Sequence, residues 1–210
     1  MAAARRKCDP RTERKLTRIS EVREVKQTFL IICEGVNTEP DYFNAFRLTS
    51  ANVKAIGQGK GTVALVQKAI NIKTQEEQKG RLYNQHWVVF DKDDFSDVDF
   101  NAAISQARQN GFEVAYSNQA FEYWFLLHFN LYQGALHRSR YEKMLSDLLG
   151  FSYTKKSGVS NKMFNVLLSK QLQAVSYAKA VMKQLTGENP ACEESSTTVY
   201  LLVEELNKYL

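Results

Sequence analysis

The stretch from His86 to Asp94, HWVVFDKDD, decides the fold of this chain. Its apolar part, Trp87 to Phe90, is short, continuous and rich in strand formers, which is typical of a strand buried on both faces of a parallel sheet. The run ends abruptly in acid. Because side chains alternate along an extended chain, Asp91 and Asp93 are expected to project to the same side. Ligands of open parallel sheets bind beyond the carboxyl ends of the strands, so the sequence predicts a functional site at this corner.

The two aspartates also indicate a kind of ligand. Neighbouring carboxylates repel each other unless a proton or a cation neutralises them. Oxygen ligands suit a hard ion such as Mg2+, which keeps several waters and takes one or two protein carboxylates. Asp91 and Asp93 are therefore candidate ligands for Mg2+ or Mn2+.

A second buried strand is predicted from Thr28 to Cys33, TFLIIC, and it also runs into acid, at Glu34 and Glu39. Gly35 allows a tight turn with unusual backbone angles, and Pro40 is well placed near the start of a helix. The two glutamates thus flank a strand-to-helix turn and can face the carboxyl edge of a sheet. If this strand lies beside the HWVVFDKDD strand, all these carboxylates converge. The sequence leaves that adjacency open.

The remaining patterns alternate between strand and helix. Strands are predicted at Asn52–Ile56 and Phe112–Tyr116, and helices at Thr62 to about Lys79 and at Val98–Asn110. The apolar face of the first of these helices is assigned to Val63, Val66, Ala69 and Ile70. This succession predicts an α/β fold with a mainly parallel sheet flanked by helices. The glycine-rich turn GQGKGT at 57–62 either contacts phosphate or is a flexible connection.

Three segments are predicted. Residues 1–26 form a basic arm, residues 27–130 an α/β core, and residues 131–210 a helical region packed on the core. The arm holds nine of the 28 basic and four of the 23 acidic residues, so the rest of the chain is balanced. A basic arm suits a phosphate backbone or an acidic partner, and it can equally be a solvated tail.

Composition excludes several classes. The apolar fraction of 44% can fill a core, but no apolar run approaches the ~20 residues that span a bilayer. No apolar segment follows the basic N-terminus, so no secretory signal is expected. Three separated cysteines form no CxxC pair and three scattered histidines form no zinc pattern, which favours a cytoplasmic protein with reduced thiols.

The stretch from Ser117 to Phe129 is too apolar for a surface helix and is predicted to be buried. Glu122 is its exception, since a buried carboxylate is costly unless it is paired or bound to a metal. Glu122 is therefore a candidate metal ligand. The alternative is a glutamate that is hydrogen-bonded at a helix start or partly exposed. His128 is expected to be a core histidine with its hydrogen bonds satisfied.

Glu34-Gly35 after one strand and Asp91-x-Asp93 after another resemble the TOPRIM catalytic domain of topoisomerases, primases and some nucleases. A narrower resemblance, to the RloB family, covers most of the chain. It rests on ICEGVNTEPDYF (32–43), VVFDKDDF (88–95), SNQAFEYWFLLHF (117–129), YTKK (153–156) and STTVYLLVEEL (196–206). The resemblance implies a TOPRIM-like fold and a role in bacterial abortive infection against phage, beside an ATPase partner called RloA.

The resemblance also implies roles for individual residues. Asp91 and Asp93 would bind metal, and Glu34 would bind metal or act as general base on water. Glu39, five residues after Glu34 in a slightly unusual spacing, would complete a second metal site. Lys155 would stabilise the charge on the phosphate, although on the residues alone an exposed loop lysine is as good an interpretation.

The expected function is therefore a Mg2+- or Mn2+-dependent nuclease acting in the cytoplasm. RNA, including tRNA, is slightly favoured over DNA as substrate, and homo-oligomer formation stays open. One alternative is a non-catalytic binding subunit or scaffold of an ATPase defence complex. Another is a HAD-type phosphatase with Asp91 as nucleophile, but that pattern wants Thr or Val where Phe95 stands and leaves the glutamates after the first strand unused.

Overall fold

The computed structural model describes residues 26–49, 51–59, 61–156 and 159–210, and it shows the predicted α/β fold. The strands are β1 (Gln27–Cys33), β2 (Ala51–Gly57), β3 (Gln85–Asp91) and β4 (Glu113–Ser117). They form a parallel sheet in the order β2-β1-β3-β4. The predicted arm lies outside the described residues except for Lys26.

Helices cover both faces of this sheet. The first three alternate with the strands: α1 (Thr38–Asn44), α2 (Thr62–Gln78) and α3 (Asp97–Gln109). Five more follow β4: α4 (Glu122–Leu126), α5 (Tyr141–Leu149), α6 (Val159–Leu167), α7 (Gln171–Met182) and α8 (Val199–Asn207). Short 3-10 turns lie at Arg138–Arg140, Leu168–Lys170 and Pro190–Cys192. The predicted helical C-terminal region is confirmed.

Two apolar clusters explain why the central strands are apolar throughout. In β1, Phe29 and Ile31 belong to one cluster and Leu30 and Ile32 to the other, as the alternation of a strand requires. Residues of α2 and α3 complete one cluster, while residues of α1 and α4 to α8 complete the other. The C-terminal helices thus share an apolar cluster with the sheet. The division at residues 130 and 131 stays a prediction.

The buried face of α2 differs from the predicted one. Val66 and Ala69 are buried as expected, but Val63 is 43% exposed and Leu65 is fully buried in its place. The buried face also includes the polar residues Thr62 and Glu76, so it does not coincide with the stripe of apolar residues. Within the described residues, none of the helices has the length and apolarity to cross a bilayer.

Candidate active site

The carboxyl ends of β1 and β3 meet at one edge of the sheet, because these strands are direct neighbours. Glu34 follows β1 and Asp91 is the last residue of β3. The backbone N–H of Glu34 donates to the carbonyl of Val89 at 2.8 Å. The backbone N–H of Asp91 donates in turn to the Glu34 carboxylate at 3.2 Å. The adjacency that the sequence left open is thus present.

A cavity of about 230 Å3 opens at this edge. All six predicted site residues border it: Glu34, Glu39, Asp91, Asp93, Glu122 and Lys155. They come from the turn after β1, from α1, from the end of β3, from α4 and from a loop after α5. The fold therefore brings together residues that are far apart in the sequence.

Glu39 lies in the first turn of α1 and is 5% exposed. Its carboxylate accepts a hydrogen bond from the backbone N–H of Gly35 at 3.2 Å. A Cβ atom on Gly35 would lie 2.1 Å from a Glu39 oxygen, so any other residue here would displace the Glu39 carboxylate. Gly35 does not use its freedom to adopt a positive φ. A glycine at position 35 leaves room for the close approach of the Glu39 carboxylate.

The two carboxylate oxygens of Asp91 lie in different environments. Oδ2 accepts a hydrogen bond from the backbone N–H of Phe121 at 3.0 Å, which ties β3 to the start of α4. Oδ1 is buried and has no hydrogen-bond partner in the part of the chain that the structure describes. Buried polar atoms nearly always have a hydrogen-bond partner, so this oxygen is a candidate to bind a ligand.

The carboxylates of the cavity are held in an environment that disfavours charge. Burial raises the pKa of Glu34 to about 7, and the negative charge of nearby Glu39 adds to the rise. The hydrogen bond from the Asp91 N–H acts in the opposite direction and lowers this pKa. Burial also raises the pKa of Glu39 to about 7, and Glu122 contributes through repulsion. The pKa of Asp91 rises well above its usual range, first through burial and then through the neighbouring glutamates. A bound cation would relieve this repulsion.

Asp93 is less closely enclosed than Asp91. β3 ends at Asp91, so the alternation of an extended strand does not continue, and Asp93 has a left-handed backbone with φ 48°. Its side chain is 45% exposed and forms an ion pair with Arg138. Arg138 also contacts Asp94 at 2.5 Å. Sequence reasoning missed Arg138, because nothing in the pattern links it to acids more than 40 residues earlier.

Glu122 begins α4 and is 1% exposed. One carboxylate oxygen accepts a hydrogen bond from the Tyr153 hydroxyl at 3.0 Å. The other forms an ion pair with Lys155 at 3.1 Å. Tyr153 was also missed by sequence reasoning, although it stands in the same YTKK stretch as Lys155.

The glycine-rich turn after β2 packs beside the site. The backbone N–H of Gly59 donates to the carbonyl of Glu34 at 2.8 Å. A Cβ atom on Gly57 would lie 2.4 Å from the carbonyl oxygen of Gly35, so these two turns are in close backbone contact. Lys60 lies outside the described residues. Phosphate contact by this turn stays a prediction.

The residues of the cavity fit a divalent metal in part. Among the described residues, no three His, Cys, Asp or Glu side chains are arranged as a complete metal site. Mg2+ requires only one or two carboxylates and keeps water for its other positions. Asp91, with its unpartnered Oδ1, and Glu34 both border the cavity, and these two carboxylates are the candidate donor set.

The fold and the site define a class: an α/β protein with a parallel sheet and a carboxylate-lined cavity at the carboxyl edge. A family model described as RloB-like protein matches residues 29–206. The chain belongs to this RloB-like family. Neither the curated proteins nor the solved structures gave a match.

Proposed function

We propose that this protein is a TOPRIM-like, metal-dependent nuclease that hydrolyses phosphodiester bonds of nucleic acid. The observation that carries the proposal is the convergence of Glu34, Glu39 and Asp91 on one cavity, with a buried Asp91 oxygen that lacks a partner among the described residues. Such a group of buried acids is costly to the fold unless a cation neutralises it. Catalytic sites are where strongly raised carboxyl pKa values are commonly found.

The metal would be Mg2+ or Mn2+, held by Asp91 and Glu34. Glu39, Asp93 and Glu122 are further candidate ligands that the sequence predicted. When bound, such an ion polarises the phosphoryl oxygen and lowers the pKa of a bound water.

The other steps fall to side chains of the cavity. Glu34 has an alternative role as general base, in which it does not bind the metal: it is half-buried and its pKa is raised to about 7, so at neutral pH it can accept a proton from the attacking water. The Lys155 ammonium borders the same cavity and would stabilise the charge that develops on the phosphate. Phe121 holds Asp91 in place through its backbone N–H.

The proposed setting is bacterial abortive infection against phage, in the cytoplasm and with an RloA-type ATPase partner. RNA, including tRNA, is favoured slightly over DNA as substrate, and assembly into a homo-oligomer fits the proposal. Membership of the RloB-like family supports this setting, together with the excess of basic residues in the first 26 positions. A basic segment attracts a phosphate backbone.

A second candidate function is a non-catalytic binding subunit of an ATPase complex. It is favoured by the way the chain's own cations neutralise part of the acidic cluster. Arg138 pairs with Asp93, and Lys155 pairs with Glu122. In that case the acids would serve stability and docking rather than catalysis.

Cleavage assays with added metal separate the two. Mg2+ and Mn2+ are titrated into the wild-type protein, Asp91→Ala and the control Asp147→Ala, which removes an exposed aspartate of α5. Labelled RNA and DNA are then incubated with each protein, with and without the ATPase. Metal-dependent cleavage that Asp91→Ala loses and Asp147→Ala keeps is the expected result. A folded wild-type protein that binds no metal and cleaves nothing, even with the ATPase, would leave the binding subunit ahead.

A further inference from the structure

Lys155 borders an unusually acidic cavity. Among the described residues that line it, Lys155 is the only cation, against five carboxylates. Its side chain is 55% exposed and sits in a loop after α5, so its own backbone does little to fix the ammonium. A long lysine side chain loses much rotamer freedom when it is held in one place. Its position over the cavity therefore depends on what it contacts.

Glu122 is the contact that holds it. The side chain of Glu122 is 2% exposed and its two oxygens have separate partners, the Lys155 ammonium at 3.1 Å and the Tyr153 hydroxyl at 3.0 Å. Because both oxygens are engaged, Glu122 is better placed to orient Lys155 than to bind a metal. A buried carboxylate satisfied in this way has a fixed direction.

Tyr153 fixes the loop that carries Lys155. Its ring is buried and packs edge-on against Phe125 of α4, with ring centroids 6.2 Å apart. Its backbone N–H donates to the Ser146 hydroxyl of α5 at 2.9 Å. Tyr153 is thus anchored to two helices, and its hydroxyl reaches the same glutamate as Lys155 two residues further on.

We propose that Tyr153 and Glu122 are positioning residues that hold the Lys155 ammonium over the acidic cavity. The benefit to phosphate stabilisation rests on the proposed nuclease function, but the positioning itself does not. Glu122 fixes the ammonium directly, and Tyr153 fixes Glu122.

The first arm of the test needs no enzymatic activity. The rate at which an acetylating reagent modifies Lys155 is measured by mass spectrometry, with the exposed neighbour Lys156 as internal reference. Tyr153→Phe removes only a hydroxyl, and Glu122→Gln removes only the charge. The matched control is Tyr123→Phe, which loses the hydroxyl of another buried tyrosine, one that donates to the carbonyl of Tyr132 at 2.8 Å.

We expect modification of Lys155 relative to Lys156 to rise about fivefold in Tyr153→Phe and at least as much in Glu122→Gln, as loss of one buried hydrogen bond implies. Tyr123→Phe should react like the wild type. Equal rates in all four proteins would overturn the inference, whatever the protein's activity.

The second arm applies where the wild type cleaves nucleic acid with Mg2+. Tyr153→Phe should lower kcat about fivefold and leave KM unchanged. The double variant Tyr153→Phe/Lys155→Ala should have the same kcat as Lys155→Ala alone, because both substitutions remove the same contribution of the Lys155 ammonium. Independent, additive losses would contradict positioning while leaving the nuclease standing. If the wild type does not cleave but Lys155 shows the expected reactivities, the nuclease proposal is contradicted and the positioning proposal is supported.

Discussion

At the end of β3, Asp91 places one oxygen on the Phe121 N–H and leaves the other buried without a partner among the described residues. Its negative charge is further opposed by the glutamates that share the cavity. Such a residue weakens the fold. In the proposed function a bound cation offsets this cost, and active sites commonly give up stability for function in this way.

Asp91→Asn should therefore stabilise the protein in the absence of divalent ions. The neutral amide can still accept the hydrogen bond from Phe121, while the repulsion disappears, so we expect a gain of about 1–2 kcal/mol in the free energy of unfolding. We expect added Mg2+ to stabilise the wild type, and the same change should abolish this effect, since a ligand stabilises only a fold that binds it. Urea unfolding with and without Mg2+ measures both effects, and Asp147→Asn serves as surface control. A variant that Mg2+ still stabilises like the wild type would remove Asp91 from the metal site.

The glutamates of the cavity predict a pH dependence of stability. Burial raises the pKa of Glu34 and of Glu39 from about 4.5 to about 7 in the folded protein. Between these values the folded state keeps protons that the unfolded chain has released, so both groups make the free energy of unfolding fall as pH rises from 4.5 to 7. His128 acts in the opposite direction over an overlapping range, from about pH 4 to pH 6.5, because burial lowers its pKa from 6.5 to about 4.

The difference between the wild type and Glu39→Gln isolates the effect. The amide of Gln keeps an acceptor for the Gly35 N–H but carries no charge. We expect Glu39→Gln to gain on the order of 2 kcal/mol relative to the wild type between pH 5 and pH 7.5 without metal. Urea unfolding at several pH values measures this difference. A difference that is constant with pH would show that Glu39 does not titrate in this range.

The turn between β1 and α1 is the element that sets the geometry of the site. It carries Glu34, and it packs against the end of β2, where a Cβ atom on Gly57 would lie 2.5 Å from the Cα of Val36. Both partners of this contact are backbone, so neither can give way by changing a rotamer. The spacing between β2 and the turn therefore fixes where Glu34 stands.

Gly57→Ala should push this turn out of place. Overpacking of this kind costs about 1–3 kcal/mol, and the displaced Glu34 should weaken the response to Mg2+. Urea unfolding gives the cost, and the Mg2+-induced shift gives the effect on the site. Asn52→Ala, on the exposed side of the same strand, should change neither. A Gly57→Ala protein with wild-type stability and metal response would show that the two turns are not in firm contact.

The strands and their acids could be predicted because the physical signals are local. Each central strand is buried on both faces and has an acid at its end or directly after it, and the order of elements indicates a parallel sheet. The phase of α2 could not be predicted in the same way. Glu76 is buried on its inner side because Lys54 and Arg81 form ion pairs with it, and hydropathy alone assigns such a residue to the outside.

The contacts that complete the site are not local. Tyr153 meets Glu122 across 31 positions, and Arg138 meets Asp94 across 44. No periodicity or spacing connects such pairs, since their distance is set by the packing of α4 and α5 against the sheet. The sequence could therefore indicate which acids converge, and the family resemblance indicated Lys155, but neither indicated Arg138 or the Tyr153 hydroxyl.

On the scale of the whole molecule, the helices after β4 are joined to the sheet by apolar packing and by backbone hydrogen bonds. The N–H of Thr198 donates to the carbonyl of Tyr116 at 2.8 Å, so the chain before α8 covers the edge of β4. The N–H of Thr49 donates to the carbonyl of Tyr209 at 2.8 Å, beyond the other end of α8. These bonds predict that sheet and helical region unfold together.

Two adjacent leucines of α8 test this cooperativity. Leu202 is fully buried in the cluster shared with β1, whereas Leu201 is 41% exposed. Leu202→Ala should lower the free energy of unfolding by about 2–5 kcal/mol, and Leu201→Ala should change it by no more than about 0.5 kcal/mol. Circular dichroism follows the helices, and fluorescence follows Trp87 in β3 and Trp124 in α4. Both signals should give one coincident transition in each protein, because the sheet and α8 share one core. If Leu202→Ala shifted the helical signal alone, residues 131–210 would instead unfold as a separate unit.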